Sequence, residues 1–78
     1  MKAMATTSLK QMRESLGLSQ EGLARRTRSI SARTIRNAEA GQRVTFETAR
    51  QILEAINDIH TEVGRAAVTI DDLGLNLS

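Results

Sequence analysis

The chain has no cysteine, no proline, no tryptophan and no tyrosine, and Phe46 is its one member of the Phe, Tyr and Trp class. Without Cys there are no disulfides, no thiolate metal sites and no Cys nucleophile, which fits a cytoplasmic protein. The lack of Pro and the scarcity of aromatic rings favour helix. One ring provides no stacking platform for single-stranded nucleic acid. No apolar run approaches the length needed to span a bilayer, and the N-terminus carries no apolar signal core, so a soluble, intracellular protein with no membrane partner is expected. The only histidine, His60, has Glu62 two residues on, which a helix turns to a different face, so the two form no metal pair. Phosphate-binding glycine motifs are absent, and the Ser, Thr and carboxylate residues are better read as helix caps. No enzyme activity, cofactor or metal is expected. Seventy-eight residues make one domain with a modest core and no enclosed active-site cavity.

The formal net charge is only +2, but the charges are unevenly spread. From Leu9 to Arg50 nine cations stand against four acids, whereas from Gln51 onward Arg65 faces Glu54, Asp58, Glu62, Asp71 and Asp72. A basic front and an acidic back orient a molecule on a polyanion and keep its far end away.

The stretch from Ser19 to Gly41 reads as two short helices joined by a basic turn. Ser19 and Ser31 are N-cap residues, and Leu18/Leu23 and Ile30/Ile35 stand at the corresponding staple positions. Two helix starts twelve residues apart match a helix-turn-helix unit. The first of these, helix 2, runs from Gln20 to about Arg26, with Gly22 inside it as a weak position or a close-approach point. Helix 3 runs from Ala32 to about Ala40 and stops at Gly41. Ile35 and Ala38 mark its inward side, leaving Ala32, Arg33, Arg36 and Asn37 outward. Arg can bond a guanine edge at two points and Asn an adenine edge, each pair discriminating by about 1–3 kcal/mol.

Around this pair, residues 1–7 carry no pattern and are expected to be disordered. Ser8 with Gln11 forms a capping box for helix 1, whose stripe is Leu9, Met12 and Leu16 before Gly17. Thr45 caps a long helix 4 with apolar positions Phe46, Ala49, Ile52, Leu53, Ile56, Ile59 and Val63, and with a weak point at Asn57-Asp58. Thr69 with Asp72 starts a short fifth helix offering Ile70, Leu73, Leu75 and Leu77. No strand is predicted. Residues 58–78 form a C-terminal extension of the single domain 8–78, with two candidate roles: a dimer interface or a cover for helix 1.

The runs LKQMRESLGLSQEGLARRT and ISARTIRNAEAGQRVTFETARQILEAI, with LSQEGLA, S-x-x-T-I-x-x-x-E-x-G and T-F-E-T, resemble the Cro and repressor type of helix-turn-helix domain, the XRE family, over Leu9 to Asn57. The resemblance implies an all-α, five-helix, lambda-repressor-like domain that docks helix 3 in the major groove and binds a palindromic operator as a homodimer. It implies base reading by Ala32, Arg33 and Asn37 with Arg36 beside them, and places Gln20, Ser31, Thr34 and Arg43 at positions that touch phosphate, with Arg28 joining them from the basic turn. It also implies a structural ion pair between Arg13 and Glu39. The connection between helices 2 and 3 departs from the family pattern. It holds Arg28 and Ser29, lacks the usual Gly and is one residue longer. The function expected is a sequence-specific, double-stranded DNA-binding regulator, a repressor, associated with the cytoplasmic nucleoid. The alternative is an antitoxin or coactivator that docks a protein partner through Val68–Leu77.

Overall fold

In a computed structural model, which describes residues 8–77, the chain is mostly helical: α1 Ser8–Ser15, α2 Gln20–Arg25, α3 Ala32–Glu39 and α4 Phe46–Glu62, with a 3-10 helix at Ile70–Leu73. Two-residue strands, β1 Arg43–Val44 and β2 Asn76–Leu77, pair in parallel, Arg43 opposite Asn76 and Val44 opposite Leu77. The expectation of disorder in residues 1–7 lies outside the described residues. Ser8, which the sequence suggested as a cap, is the first described residue of α1. No helix among the described residues is long and apolar enough to cross a membrane.

The core is small and mostly aliphatic. Leu9 from α1, Leu23 from α2, Ile35 and Ala38 from α3, and Ala49, Ile52, Ala55, Ile56 and Ile59 from α4 close on one another, joined by Val44 and Leu73. The largest of the fully buried side chains are Leu9, Leu23, Ile35, Ile52, Ile56 and Leu73, at roughly 1.5–3 kcal/mol each for leaving water. The two ends of the predicted α4 stripe do not join it. Phe46 and Val63 stay exposed.

The structure sharpens the sequence reading at four points. The fifth helix is a single 3-10 turn: Asp72 N–H donates to Thr69 O at 3.0 Å and Gly74 N–H to Asp71 O at 3.2 Å. Four residues between Thr69 and a left-handed Gly74 leave no room for α-helical bonding to propagate. The strand pair was not anticipated, since a two-residue strand has no alternation to read. α4 runs unbroken through Asn57-Asp58. There Asn57 donates from Nδ2 to Val68 O at 3.0 Å and accepts from Val68 N–H at 2.8 Å, so a weak helix former holds the returning chain. Gly22 faces its own cap, where an added Cβ would stand 3.2 Å from Ser19 Oγ, and makes no close approach to another helix.

His60 is buried at the end of α4. Its Nδ1–H donates to Ala66 O at 2.9 Å, and its Nε2 has no partner among the described residues. It fastens the turn after Gly64 and stands apart from any cluster of metal-binding side chains.

Candidate nucleic-acid interface

Two caps aim the helices of the central pair. Ser19 Oγ accepts from Gly22 N–H at 2.9 Å and Ser31 Oγ accepts from Thr34 N–H at 3.1 Å, each using a helix-end donor that would otherwise need water. Between them the connection turns without glycine, and no non-glycine residue among those described has a positive φ. Thr27 makes this possible. Its hydroxyl donates to Ala24 O at 2.7 Å and accepts from Ile30 N–H at 3.1 Å, tying the last turn of α2 to the entry of α3. A side-chain hydroxyl thus ties together a connection that contains no glycine.

On α3, Ile35 and Ala38 are fully buried and Glu39 nearly so, which fixes the opposite side of the helix in solvent. Arg33 and Arg36 are exposed there. Ala32, Thr34 and Asn37 are half-buried along the edges, and Ser31 is exposed at the N-terminus. The Ser31 hydroxyl also donates to Thr34 Oγ1 at 3.1 Å, which leaves the Thr34 hydroxyl proton available to an acceptor in solvent. The helix ends in a Schellman turn: Gly41 N–H donates to Ala38 O at 3.1 Å and Gln42 N–H to Asn37 O at 3.1 Å, with Gly41 at φ +89°. That turn delivers Arg43, exposed on β1, beside the end of α3.

A charged network lies beneath the pair. Arg13 of α1 donates from Nε to Glu39 Oε2 at 2.6 Å and from Nη2 to Glu39 Oε1 at 3.0 Å, and its Nη1 reaches Leu18 O at 2.8 Å. The hydrogen bonds that Arg13 donates to Glu39 raise the Arg13 pKa above its usual value, against the opposing effect of burial. Gln20 joins from α2, its Nε2 donating to Glu39 Oε1 at 3.1 Å. One carboxylate therefore binds α1, α2 and α3 together. Gln20 retains a second amide proton at the start of α2.

The arginines counted in the basic front divide into two groups. Arg26 pairs with Glu62 of α4 at 2.5 Å, and Arg50 pairs with Glu47 at 2.7 Å and also with Glu54. These contacts hold the Glu62 and Glu47 carboxyls below their usual pKa, and Arg28 in the turn adds to the effect on Glu47. Arg26 therefore faces the acidic back, although its place in the sequence suggests phosphate. Arg25, Arg33, Arg36 and Arg43 form no ion pair within the described residues. A shallow cleft of about 160 Å³ separates the turn from α4, lined by Arg26, Thr27, Arg28, Gln51, Glu54, Ala55 and Asp58.

Of the positions singled out in the sequence, Ser31, Arg33, Arg36 and Arg43 are exposed, Gln20, Ala32, Thr34 and Asn37 are half-buried, and Arg28 is exposed at the cleft against α4 rather than on α3. Sequence reasoning missed Thr27 and Asn76. The only signal for Thr27 was the missing glycine, which meant that something else had to close the turn. For Asn76 there was no signal, because its partner, Gly41 O, is 35 residues away.

No curated protein and no solved structure matches the chain. The sequence profile of the helix-turn-helix family matches residues 9–64, most of the described chain and all four α-helices. With that match over an exposed cationic helix on a capped, buried scaffold, the chain belongs to the helix-turn-helix family of the Cro and repressor type, DNA-binding transcription regulators.

Proposed function

We propose that the chain is a repressor that reads the major groove of a palindromic operator with α3, as a homodimer. The observation carrying this reading is the exposed face of α3. Arg33 and Arg36 project from a helix whose other side is locked by fully buried Ile35 and Ala38, and no carboxylate among the described residues neutralises them. Arg33, Arg36 and Asn37 meet base edges, and Ala32 meets a thymine methyl. Gln20 donates its second amide proton to a backbone phosphate, Thr34 its hydroxyl proton, and Arg28 and Arg43 their guanidinium charge, with Ser31 orienting Thr34. Adjacent half-sites on B-DNA lie about 34–36 Å apart, and the molecule measures 32 × 28 × 20 Å, so two copies side by side span one helical turn.

The rival reading, in which Val68–Leu77 docks a protein partner, receives little support from the packing. Leu73 is fully buried, and Val68, Ile70 and Leu75 pack against the chain's own core, leaving Leu77 as the exposed apolar side chain of that segment.

Selection from random duplexes with the purified chain tests the proposal, and a recovered palindrome is the expected result. On the selected duplex, Arg33→Ala and Asn37→Ala each relax specificity at one base position by about 1–3 kcal/mol, whereas Arg43→Ala weakens all sequences alike. Equal losses on selected and random DNA for all three substitutions would contradict the division of roles.

A further inference from the structure

Residues 65–77 lie beyond the stretch that the helix-turn-helix profile matches, yet they end against the strand that carries Arg43. The anchors along this segment run in order. His60 and Asn57 fasten Ala66 and Val68, Thr69 N–H donates to Asp72 Oδ2 at 2.9 Å, and Leu73 is fully buried in the core. Gly74 then lies against the start of α1, where an added Cβ would stand 3.3 Å from Ser8 Oγ. Beyond that seam, Asn76 Nδ2 donates to Gly41 O at 3.2 Å, and β2 pairs with β1 so that Asn76 sits opposite Arg43. A two-residue strand has no stability of its own. β1 is held by burial of Val44 on one side and by β2 on the other.

We infer that this C-terminal strap, through Asn76, positions the DNA interface: it fixes the Gly41–Val44 backbone so that the Arg43 guanidinium meets phosphate at a set distance from α3. The inference rests on the DNA-binding reading above and extends the interface to a segment outside the matched domain. Without the Asn76 side chain, the carbonyl of Gly41 loses that donor, and the loop between α3 and α4 is held by the Gln42 bond to Asn37 O, by buried Val44 and by the β1–β2 pairing alone. Arg43 then has to be ordered at the moment of binding, which costs affinity.

A double-mutant cycle on the duplex selected by the wild-type chain tests this. Arg43→Ala is expected to weaken binding roughly tenfold and to lower the salt slope by about one. Asn76→Ala is expected to weaken binding about three- to fivefold and to lower the slope in the same direction, with unchanged helical circular dichroism. Added to Arg43→Ala, it costs nothing further. Asn76→Gln, which keeps the amide donor, recovers part of the loss. Additive losses, or an Asn76→Ala variant that binds with wild-type affinity and slope, overturn the inference while leaving the DNA reading intact. A wild-type chain that selects no duplex overturns that reading and the inference with it.

Discussion

On the front of the molecule Arg25, Arg33, Arg36 and Arg43 stand without a carboxylate partner among the described residues, while behind and beneath them Arg13, Arg26 and Arg50 are each held by glutamate. The residue type is the same, and the difference lies in where Glu39, Glu47, Glu54 and Glu62 have been placed. An unpaired surface arginine can displace counterions from a polyanion; one already neutralised has little to exchange. Counting arginines along the chain overstates the DNA-facing charge, and the geometry of the acids corrects it. The two sets also differ in burial. Arg13 and Glu39 keep only 9% and 4% of their side-chain surface exposed, so their pairing is a matter of folding, whereas Arg26 and Arg50 sit largely in water where ion pairs contribute little.

The largest test of this contrast is Glu39→Ala, which strands a buried guanidinium and removes the partner of Gln20. It should destabilise the fold by about 3–5 kcal/mol and lower the thermal midpoint by more than 10 °C or so, measured by circular dichroism. Arg25→Ala, taken from the front, should leave the midpoint within a degree or two; comparable losses from both would erase the distinction. Next comes Leu73→Ala, expected to cost about 2–5 kcal/mol in denaturant unfolding, since the strap belongs to the core. A cost under 1 kcal/mol would mean that the back is a loose appendage.

Thr27→Val should follow at about 1–2 kcal/mol, because the shape is kept while Ala24 O and Ile30 N–H lose their shared hydroxyl. The smallest effect is the acid limb set by Glu62. Its carboxyl titrates below the ordinary 4.5 because Arg26 hydrogen-bonds to it. The stability it contributes is present above pH 4.5 and is lost as pH falls through the lower folded value. Glu62→Gln should flatten the thermal-midpoint profile only in that acidic window. A change near neutral pH would assign the effect to some other group.

The parts legible in the sequence share a physical signature. Ser19, Ser31 and Thr45 announce helix starts because a cap is a local device, complete within four residues. Ile35 and Ala38 mark the inward side of α3 because helical periodicity is local as well. The parts that escaped depend on distance or on omission. Asn57 reads as a weak helix former until its two bonds to Val68 are known. Arg26 reads as one more cation for phosphate until Glu62, 36 residues on, is found beside it. Phe46 and Val63 fit the α4 stripe by spacing, yet both are exposed. The exposed cationic face of α3 was readable for the same reason as the caps, lying on one short helix, and the bond from Asn76 to Gly41 was not, being brought in from the other end of the described chain.

The contact between Gly74 and the first residue of α1 closes the described chain into a ring, with Ser8 and Gly74 side by side. A short peptide joining those positions would let the polypeptide be reopened elsewhere, for instance in the exposed turn at residues 64–67, and keep every helix in its place. Such a circular permutant would separate Ile70–Leu73 from α4 in chain order and omit Asn76 and Leu77, leaving the core contact of the strap without its bond to Gly41.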